Sequence, residues 1–274
     1  MKLASIDIGS NAIRLLICNI VEDKNKKISY KKISLTRLPI RLGADVFTKQ
    51  KISDKAQKRL IHGMKAYRYL MKVHGVTQYR ACATSAFRDA QNGADVIKKV
   101  WEKSGIKIDL ISGEEEAQLI YRGVHQTMSF GDSALIMDIG GGSTEFILAN
   151  DDGLLSMESF NIGVSRIYQQ FTFSDPMSPA DIYALESYLE DACGKYLRQL
   201  NTTKLIGASG SFETFFELMH EKPFHAKGRA VEVDFPHFVD MLEQIIASSQ
   251  AERDKNPHII AIRKRMAPIA AIKT

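Results

Sequence analysis

Residues 137–144 have the sequence Met-Asp-Ile-Gly-Gly-Gly-Ser-Thr, and residues 5–11 have the related sequence Ser-Ile-Asp-Ile-Gly-Ser-Asn. In both places, apolar residues that are typical of β-strands stand before and after the glycine. This pattern predicts two strands joined by a tight turn. Because glycine has no Cβ, the N–H groups of such a turn can close around an anion. We therefore interpret both turns as phosphate-binding loops.

Two copies of this sequence are stronger evidence for phosphate-binding loops than either copy alone. A single Asp-x-Gly-Ser sequence is also compatible with an ordinary hairpin turn. Two copies in one chain predict two halves of similar design, each with a phosphate loop at a shared cleft, and this arrangement resembles that of actin, Hsp70 and the sugar kinases. Strands and helices are also predicted to alternate along the chain, which indicates an α/β fold.

Four segments narrow the resemblance to one family. They are residues 83–90, 111–117, 138–145 and 207–211. In these segments, and over nearly its whole length, the chain resembles the exopolyphosphatase/guanosine pentaphosphatase (Ppx/GppA) family. The most specific part is Ser-Gly-Glu-Glu-Glu-Ala at 112–117, followed by Asp-Ile-Gly-Gly-Gly-Ser-Thr-Glu at 138–145.

The resemblance implies an α/β fold of two actin-like (ribonuclease H-like) domains with a phosphate-binding cleft between them. We expect the N-terminal domain at residues 1–124 and the second domain, with the glycine-rich loop, at residues 125–274. The apolar residues 269–272 come before the closing strand and helix expected of the family, so we expect the C-terminal end to be truncated. The resemblance also makes a homodimer an expected assembly.

The composition is that of an ordinary globular protein. The chain has 274 residues, of which 45% are hydrophobic and 25% charged, enough for one large or two modest cores. No apolar run approaches the roughly 20 residues of a membrane span, so we expect no membrane partner. The first strand begins at once, which leaves no room for a signal peptide, and we predict a cytoplasmic protein. The three cysteines, Cys18, Cys82 and Cys193, lie in apolar stretches and are predicted to be reduced.

The net charge of +5 has the sign expected of a protein that attracts polyanions. The densest basic stretch contains Lys24, Lys26, Lys27, Lys31 and Lys32. We interpret this stretch first as a solvated hairpin tip, and alternatively as a surface that steers a polyphosphate chain. Basic and aromatic residues do not interleave as in nucleic-acid-binding proteins, so nucleic acid is not an expected partner.

Helical periodicity predicts two long helices. The first has Ser53 as its N-cap and ends near Gly75, and the second begins at Ser178 and keeps one apolar face as far as Leu200. Residues 221–233 show no clear period, and we predict a loop there.

Two aspartates mark a predicted divalent-cation site. Asp7 and Asp138 each end the strand that enters a phosphate loop. A carboxylate beside bound phosphates makes sense with a cation between them, and Mg²⁺ suits this position because it takes one or two carboxylates together with phosphate oxygens and water. The family resemblance adds Glu145 as a third metal residue. The alternative for Glu145 is a residue that faces outward from its strand.

The predicted phosphate-binding groups come from three turns and two arginines. Backbone N–H groups and neighbouring polar side chains would hold the phosphate oxygens. These residues are Gly9, Ser10, Asn11, Gly140, Gly141, Gly142, Ser143, Thr144, Ser209, Gly210 and Ser211. Arg88 either binds two phosphate oxygens or forms a surface ion pair, and the resemblance favours the first role. Arg14, just beyond the first loop, is a second candidate.

Three consecutive glutamates, Glu114, Glu115 and Glu116, are candidates for a general base. Acidic residues in a first helical turn also interact favourably with the helix dipole, whatever the function. Adjacent helical residues point about 100° apart, so at most one or two of them can face a cleft. The resemblance indicates Glu116 as the water-activating base and Glu115 as the second choice, with Arg88 completing the catalytic set.

These residues together predict a phosphoanhydride hydrolase that removes the terminal phosphate from inorganic polyphosphate or from guanosine pentaphosphate. The reaction would be a metal-assisted in-line attack of water with a glutamate as general base. A kinase or ATPase of the same superfamily, which would use the same loops on ATP, is one alternative. A non-catalytic protein that binds nucleotide or polyphosphate is another.

Overall fold

The computed structural model describes residues 1–22, 28–224, 230–259 and 264–274. The chain forms two compact units, Met1–Ser112 and Gly113–Thr274. Three lysines of the basic stretch, Lys24, Lys26 and Lys27, lie outside the described residues, as does part of the loop predicted at 221–233.

The first unit alternates strands and helices. Its elements are β1 (Lys2–Ile8), β2 (Ile13–Glu22), β3 (Ile28–Leu38), α1 (Gly43–Lys49), α2 (Asp54–His74), β4 (Gln78–Ala83), α3 (Ser85–Asp89), α4 (Gly93–Ser104) and β5 (Asp109–Leu110).

The second unit also combines strands and helices. Its elements are α5 (Gly113–His125), β6 (Ala134–Ile139), β7 (Thr144–Asn150), β8 (Gly153–Phe160), α6 (Val164–Gln170), α7 (Pro179–Leu189), a π-helical turn (Glu190–Gly194), α8 (Lys195–Leu197), β9 (Leu205–Ala208), α9 (Ser209–His220), α10 (Phe235–Ala247), α11 (Gln250–Lys255) and α12 (Ala267–Ile272).

The boundary between the units lies between Ser112 and Gly113, and not after residue 124 as expected from the sequence. The reason is the packing of α5, which lies against β7 and β8 of the second unit. Its buried Ala117 belongs to a hydrophobic cluster with Ala134 and Ile147. The helix therefore belongs to the second unit.

The two sheets repeat one topology. The first has the strand order β3-β2-β1-β4-β5, and the second has the order β8-β7-β6-β9. In each sheet the central strand pairs with the next strand in an antiparallel hairpin and, on its other side, with a later parallel strand. The two halves of similar design that the repeated sequence predicts are present.

The two hairpins whose loops are predicted to bind phosphate also have the same register. Ile8 pairs with Ile13 in the first hairpin, and Ile139 pairs with Thr144 in the second, so loops of equal length, 9–12 and 140–143, close the two hairpins. In each loop the N–H of the first glycine donates to the carbonyl of the last loop residue at 3.1 Å. The two turns are thus equivalent in backbone structure.

Helix α2 covers the sheet of the first unit and matches its sequence signals. The Ser53 side chain accepts a hydrogen bond from the N–H of Ala56, and Gly75 ends the helix with a φ of 66°. Leu60, Met64 and Tyr67 lie in the core. The Tyr67 hydroxyl lies 2.9 Å from the carbonyl oxygens of both Ile13 and Thr36, which fixes the helix to β2 and β3.

The second long helix begins as predicted and then departs from the prediction. Ser178 and Asp181 form a capping box at the start of α7, and Pro179 occupies its first turn. The continuous helix predicted as far as Leu200 is interrupted by the π-helical turn at Glu190–Gly194. A Cβ on Gly194 would lie 2.3 Å from the Glu190 carboxylate, so a larger residue there would require the Glu190 side chain to move.

The structure contains Cys18, Cys82 and Cys193 as free thiols, in agreement with the prediction. Among the described residues, no helix has both the length and the apolar character that crossing a membrane requires.

Candidate active site

The second hairpin places two carboxylates opposite each other. Asp138, near the end of β6, is the cross-strand partner of Glu145, near the start of β7. Directly opposed residues of an antiparallel pair have their side chains on the same face of the sheet. Glu145 is buried, with 1% of its surface exposed, while Asp138 is partly exposed. The predicted metal residues Asp138 and Glu145 are therefore neighbours.

Helix α5 approaches these carboxylates because it begins with a glycine. A Cβ on Gly113 would lie 2.7 Å from the Cβ and Oγ of Ser159 on β8, so the helix start is in close contact with that strand. The Ser159 hydroxyl donates to Glu145 Oε1 at 2.8 Å. This contact brings the acidic first turn of α5 towards Glu145.

Of the three consecutive glutamates, Glu116 has the clearest link to the buried carboxylate. Its charge acts on Glu145 and raises the pKa of that carboxyl. Glu115 is half-buried, and Glu114 is exposed. The structure thus gathers Glu116, Asp138 and Glu145 within one unit.

The pKa of Glu145 is raised to about 8. Burial is the main cause, because it disfavours the charged carboxylate, and repulsion from Glu116 and then from Asp138 adds to it. Hydrogen bonds from Ser143 and Ser159 act in the opposite direction. The raised pKa of Glu145 therefore reflects its burial first and the neighbouring carboxylates second.

The carboxylates of this cluster suit a Mg²⁺ ion that takes its remaining ligands from phosphate and water. Among the described residues, no three His, Cys, Asp or Glu side chains form a ready-made metal site. Asp138 and Glu145, opposed beside the glycine-rich loop, instead match the one or two carboxylates that Mg²⁺ combines with phosphate oxygens and water. A divalent cation would also relieve the repulsion that raises the pKa of Glu145.

The glycine-rich loop is held by its carbonyl groups. The N–H groups of Val164 and Ser165, at the start of α6, donate to the carbonyls of Gly140 and Gly141 at 3.0 and 2.8 Å. The buried Arg166 side chain donates through Nε to the Gly142 carbonyl at 2.8 Å. Within the described part of the chain, no hydrogen bond uses the N–H groups of Gly141 or Gly142.

Gly163 makes this docking of α6 possible. A Cβ on Gly163 would lie 2.3 Å from the Gly142 nitrogen and 2.4 Å from the Gly141 carbonyl carbon. Sequence analysis missed both Gly163 and Arg166, because their roles depend on contacts with a loop that precedes them in the chain. The sequence Asn161-Ile-Gly-Val-Ser-Arg166 follows β8 and was the available signal.

Ser143 and Thr144 face into the protein. Ser143 is hydrogen-bonded to the Glu145 side chain. The Thr144 hydroxyl accepts a hydrogen bond from the ammonium of Lys273, a residue that sequence analysis did not single out. Both Ser143 and Thr144 are buried, so in this structure their side chains serve the site's framework.

The third predicted turn lies at the end of β9. Ser209 begins α9 with a φ of 66°, a left-handed conformation that is strained for a residue with a Cβ. The Ser211 hydroxyl donates to the Ile139 carbonyl at 3.3 Å, next to the glycine-rich loop. Gly210, between them, is buried. The third turn is thereby joined to the second hairpin.

The first hairpin carries an ion pair where the second carries two carboxylates. Asp7 is the cross-strand partner of Arg14, and Arg14 Nη1 donates to Asp7 Oδ2 at 2.8 Å. Both side chains are almost half exposed. A predicted metal residue and a predicted phosphate residue therefore bind each other.

The first loop is held in the same way as the second. The carbonyls of Ser10 and Asn11 accept hydrogen bonds from the N–H groups of Gly43 at 2.8 Å and Arg41 at 2.9 Å. Arg41 has a φ of 59°. A Cβ on Gly43 would lie 3.2 Å from the Ser10 Cβ. The first loop begins at Gly9. In both loops, the carbonyl groups accept hydrogen bonds from the segment of chain that directly follows the third strand of that sheet, β3 in the first unit and β8 in the second.

Arg88 lies in α3, and its side chain binds the backbone near the end of the first unit. Its Nη1 donates to the Ile111 carbonyl at 3.1 Å. The Ile111 N–H donates in turn to the Ala83 carbonyl, so the arginine is fixed beside the strands β4 and β5. The proposed contact of Arg88 with phosphate stays a prediction.

Comparisons with known proteins agree on one family. A family model described as the Ppx/GppA phosphatase family matches residues 20–267. Over 223 residues the chain is 36% identical to the bifunctional 3-dehydroquinate synthase/phosphatase of Fusobacterium nucleatum. That match covers 77% of this chain and 33% of the relative, so the chain spans about one third of the relative's length.

Two solved structures share the fold over the whole chain. An exopolyphosphatase from Cytophaga hutchinsonii is 30% identical, with a TM-score of 0.91 over 99% of this chain and 88% of that one. A Ppx/GppA family member from Aquifex aeolicus is 23% identical, with a TM-score of 0.82 over 100% of this chain and 88% of that one. The predicted fold class, two actin-like α/β domains, is confirmed.

Proposed function

This chain belongs to the Ppx/GppA phosphatase family, and on that premise we propose that it hydrolyses a terminal phosphoanhydride bond of inorganic polyphosphate or guanosine pentaphosphate. The observation that carries the proposal is the cluster of Glu116, Asp138 and Glu145 next to a glycine-rich loop whose carbonyls are bound by α6. The 30% identical relative is described as an exopolyphosphatase, which supports polyphosphate as a substrate.

The proposed reaction needs a held phosphoryl group, balanced charge and an oriented water. The N–H groups of Gly141 and Gly142 are assigned to the phosphate oxygens, because their carbonyls already have partners. Mg²⁺ held by Asp138 and Glu145 would neutralise charge on the phosphate oxygens. The first loop, with Ser10 and Asn11, is assigned a second set of phosphate oxygens.

We assign the general base to Glu116. Glu145 is buried and accepts hydrogen bonds from serines, which suits a carboxylate held in place. Glu116 is partly exposed on the first turn of α5, so its carboxylate can accept a proton from water. Glu115, on the next position of the same turn, remains the second choice, and Arg88 is assigned to phosphate.

The same proposal extends to the protein's cellular location, partners and assembly. A phosphoanhydride hydrolase of this class would work in the cytoplasm and would have no nucleic-acid partner. We propose a homodimer as its assembly. These statements rest on the family.

The experiment that tests the function compares substrates. Phosphate release is measured with Mg²⁺ from long-chain polyphosphate, guanosine pentaphosphate and ATP in parallel. The proposal predicts release from polyphosphate or pentaphosphate that stops when EDTA is added. Turnover of ATP alone would indicate an ATPase or kinase, and binding of polyphosphate without release would indicate a binding protein.

A further inference from the structure

The two units carry opposite net charges. The first unit has 23 lysines and arginines against 9 aspartates and glutamates, a formal charge of +14. The second unit has 14 against 23, a formal charge of −9. The modest net charge of the whole chain therefore hides a strongly basic unit, and a polyanion is attracted to that unit.

Much of this positive charge lies on the exposed side of α2. The exposed basic residues of the helix are Lys55, Lys58, Arg59, Lys65, Arg68 and Lys72. Its one acidic residue is Asp54, in the first turn. Like charges four residues apart, as in Lys55 and Arg59 or Arg68 and Lys72, destabilise a helix. An anion that lies across these side chains would relieve the repulsion.

Three of these lysines form a row. Lys58, Lys65 and Lys72 follow each other at seven-residue intervals, so they lie on one side of the helix, about 10 Å apart along its axis. In the part of the chain that the structure describes, none of the three forms an ion pair. The row therefore presents uncompensated positive charge to solvent.

Helix α4 adds two lysines beside this row. The helix packs against α2, and Lys99 Nζ donates to Gln57 Oε1 of α2 at 3.1 Å. Arg68 Nη1 donates to the carbonyl of Gly105, just after α4, at 2.9 Å. These contacts place the exposed Lys99, and Lys103 one turn later, along the junction of the two helices. We call the following residues the basic seam: Lys58, Lys65, Arg68, Lys72, Lys99 and Lys103.

The basic seam leads towards the first loop. The Tyr67 hydroxyl of α2 contacts the carbonyl of Ile13, directly after the loop at 9–12, at 2.9 Å. The carbonyl of His74, at the end of α2, instead accepts a hydrogen bond from Lys2 at the opposite end of β1. Helix α2 thus runs from the loop end of the sheet towards its other end.

The side chains of the basic seam favour a ligand that is recognised by charge alone. The exposed aromatic residues Tyr69 and Trp101 lie outside the seam, on different helices. Single-stranded nucleic acids are bound by stacked aromatic side chains together with basic ones. Inorganic polyphosphate has no bases to stack and presents a repeated negative charge along an extended chain, which matches a row of lysines.

We propose that the basic seam binds the distal part of an inorganic polyphosphate chain, away from the phosphate that is hydrolysed. The seam lowers KM for long chains and keeps the chain attached between successive cleavages. The inference rests on the proposed function for the choice of polyphosphate as the ligand. Binding at the seam itself requires neither a metal nor hydrolysis.

The test measures binding of long-chain polyphosphate to the full chain in EDTA, at several salt concentrations. The wild type is compared with the triple variant Lys58→Gln, Lys65→Gln and Lys72→Gln. We expect the affinity of the variant to fall by about tenfold or more, because each lost lysine removes a phosphate contact. The slope of log affinity against log salt concentration should become less steep by about three, one for each lysine.

The matched control removes three exposed lysines of the same unit that lie outside the seam, by Lys31→Gln, Lys32→Gln and Lys98→Gln. This triple variant has the same net charge as the first and should keep the affinity of the wild type. Equal losses in the two triple variants would show that only overall charge matters, and would contradict the seam.

Two further measurements keep the proposal open to contradiction. If circular dichroism shows that the first triple variant is unfolded, Lys65→Glu alone is measured, and an unchanged affinity contradicts the seam. A single-stranded oligonucleotide of equal charge competes with polyphosphate for the wild type. Tighter binding of the oligonucleotide would overturn polyphosphate as the ligand.

Kinetics with Mg²⁺ separate this inference from the proposed function. In the Lys58, Lys65 and Lys72 triple variant, KM for long-chain polyphosphate should rise. Its kcat/KM for tripolyphosphate, which is too short to reach along a row of about 20 Å, should be unchanged. Phosphate release by the wild type with equal affinities in EDTA for all variants would overturn the seam and leave the hydrolase intact. Seam-dependent binding without phosphate release would overturn the hydrolase and leave the seam intact.

Discussion

At the scale of single residues, one pair of positions distinguishes the two hairpins. The hairpins have the same register and equal loops, yet Asp7 faces Arg14 in the first and Asp138 faces Glu145 in the second. The first pair is an ion pair, whereas the second places two acidic side chains opposite each other. This difference is why we place the metal-dependent chemistry on the second hairpin.

The charge of Glu145 should make the protein's stability depend on pH. The folded-state pKa of about 8 is above the ordinary value of 4.5, so the folded state is favoured while the carboxyl is protonated. This contribution to stability is complete below pH 4.5 and is lost as the pH rises towards 8. Glu145→Gln removes the titrating group. In EDTA at pH 9 we expect its melting temperature to exceed that of the wild type by about 5 °C or more, with a smaller difference at pH 5.

Thermal unfolding followed by circular dichroism at both pH values measures this effect. Glu114→Gln, which changes an exposed carboxylate, is the control and should give a small shift that is similar at both pH values. A shift for Glu145→Gln that is the same at pH 5 and pH 9 would contradict the assigned cause.

At the scale of elements, two helices position the site by close contacts at glycine. Helix α6 approaches the glycine-rich loop through Gly163, and α5 approaches β8 through Gly113. Neither contact was predicted from the sequence, because a glycine before a helix is also an ordinary turn residue. The caps of α2 at Ser53 and Gly75 were predicted correctly, since capping depends on residues within a few positions of each other.

The contact of α5 can be tested by two substitutions on the same helix. Gly113→Ala puts a methyl group 2.7 Å from Ser159, so the helix start must move away from Glu145. We expect kcat for phosphate release to fall by about 10²-fold, as for other small displacements of catalytic groups. Gly123→Ala, which has nothing within 4 Å of the added Cβ, should keep full activity.

Steady-state kinetics of the two alanine variants test whether the contact at Gly113 positions the catalytic group. Circular dichroism should show both to be folded, with Gly123→Ala slightly more stable because alanine is the better helix former. Equal activities of the two variants would show that the approach of α5 at Gly113 does not position the catalytic group.

At the scale of the whole molecule, the repeated sequence was sufficient to predict the repeated topology. The turn sequences are local, and so are the apolar residues that surround them, so both hairpins could be predicted. The boundary at Ser112 could not, because the partner of α5 lies on strands that follow it. Lys273 was missed for a similar reason, since Thr144 is far from it in the chain.

The most direct test of the account is kcat for phosphate release from long-chain polyphosphate with Mg²⁺, measured for the wild type, Glu116→Gln and Glu114→Gln. The glutamines keep the size of the side chain and remove its basicity. The account predicts a fall of roughly 10²-fold or more for Glu116→Gln and near-wild-type release for Glu114→Gln. Equal rates for the wild type and Glu116→Gln would contradict the assignment of Glu116 as the base that activates water.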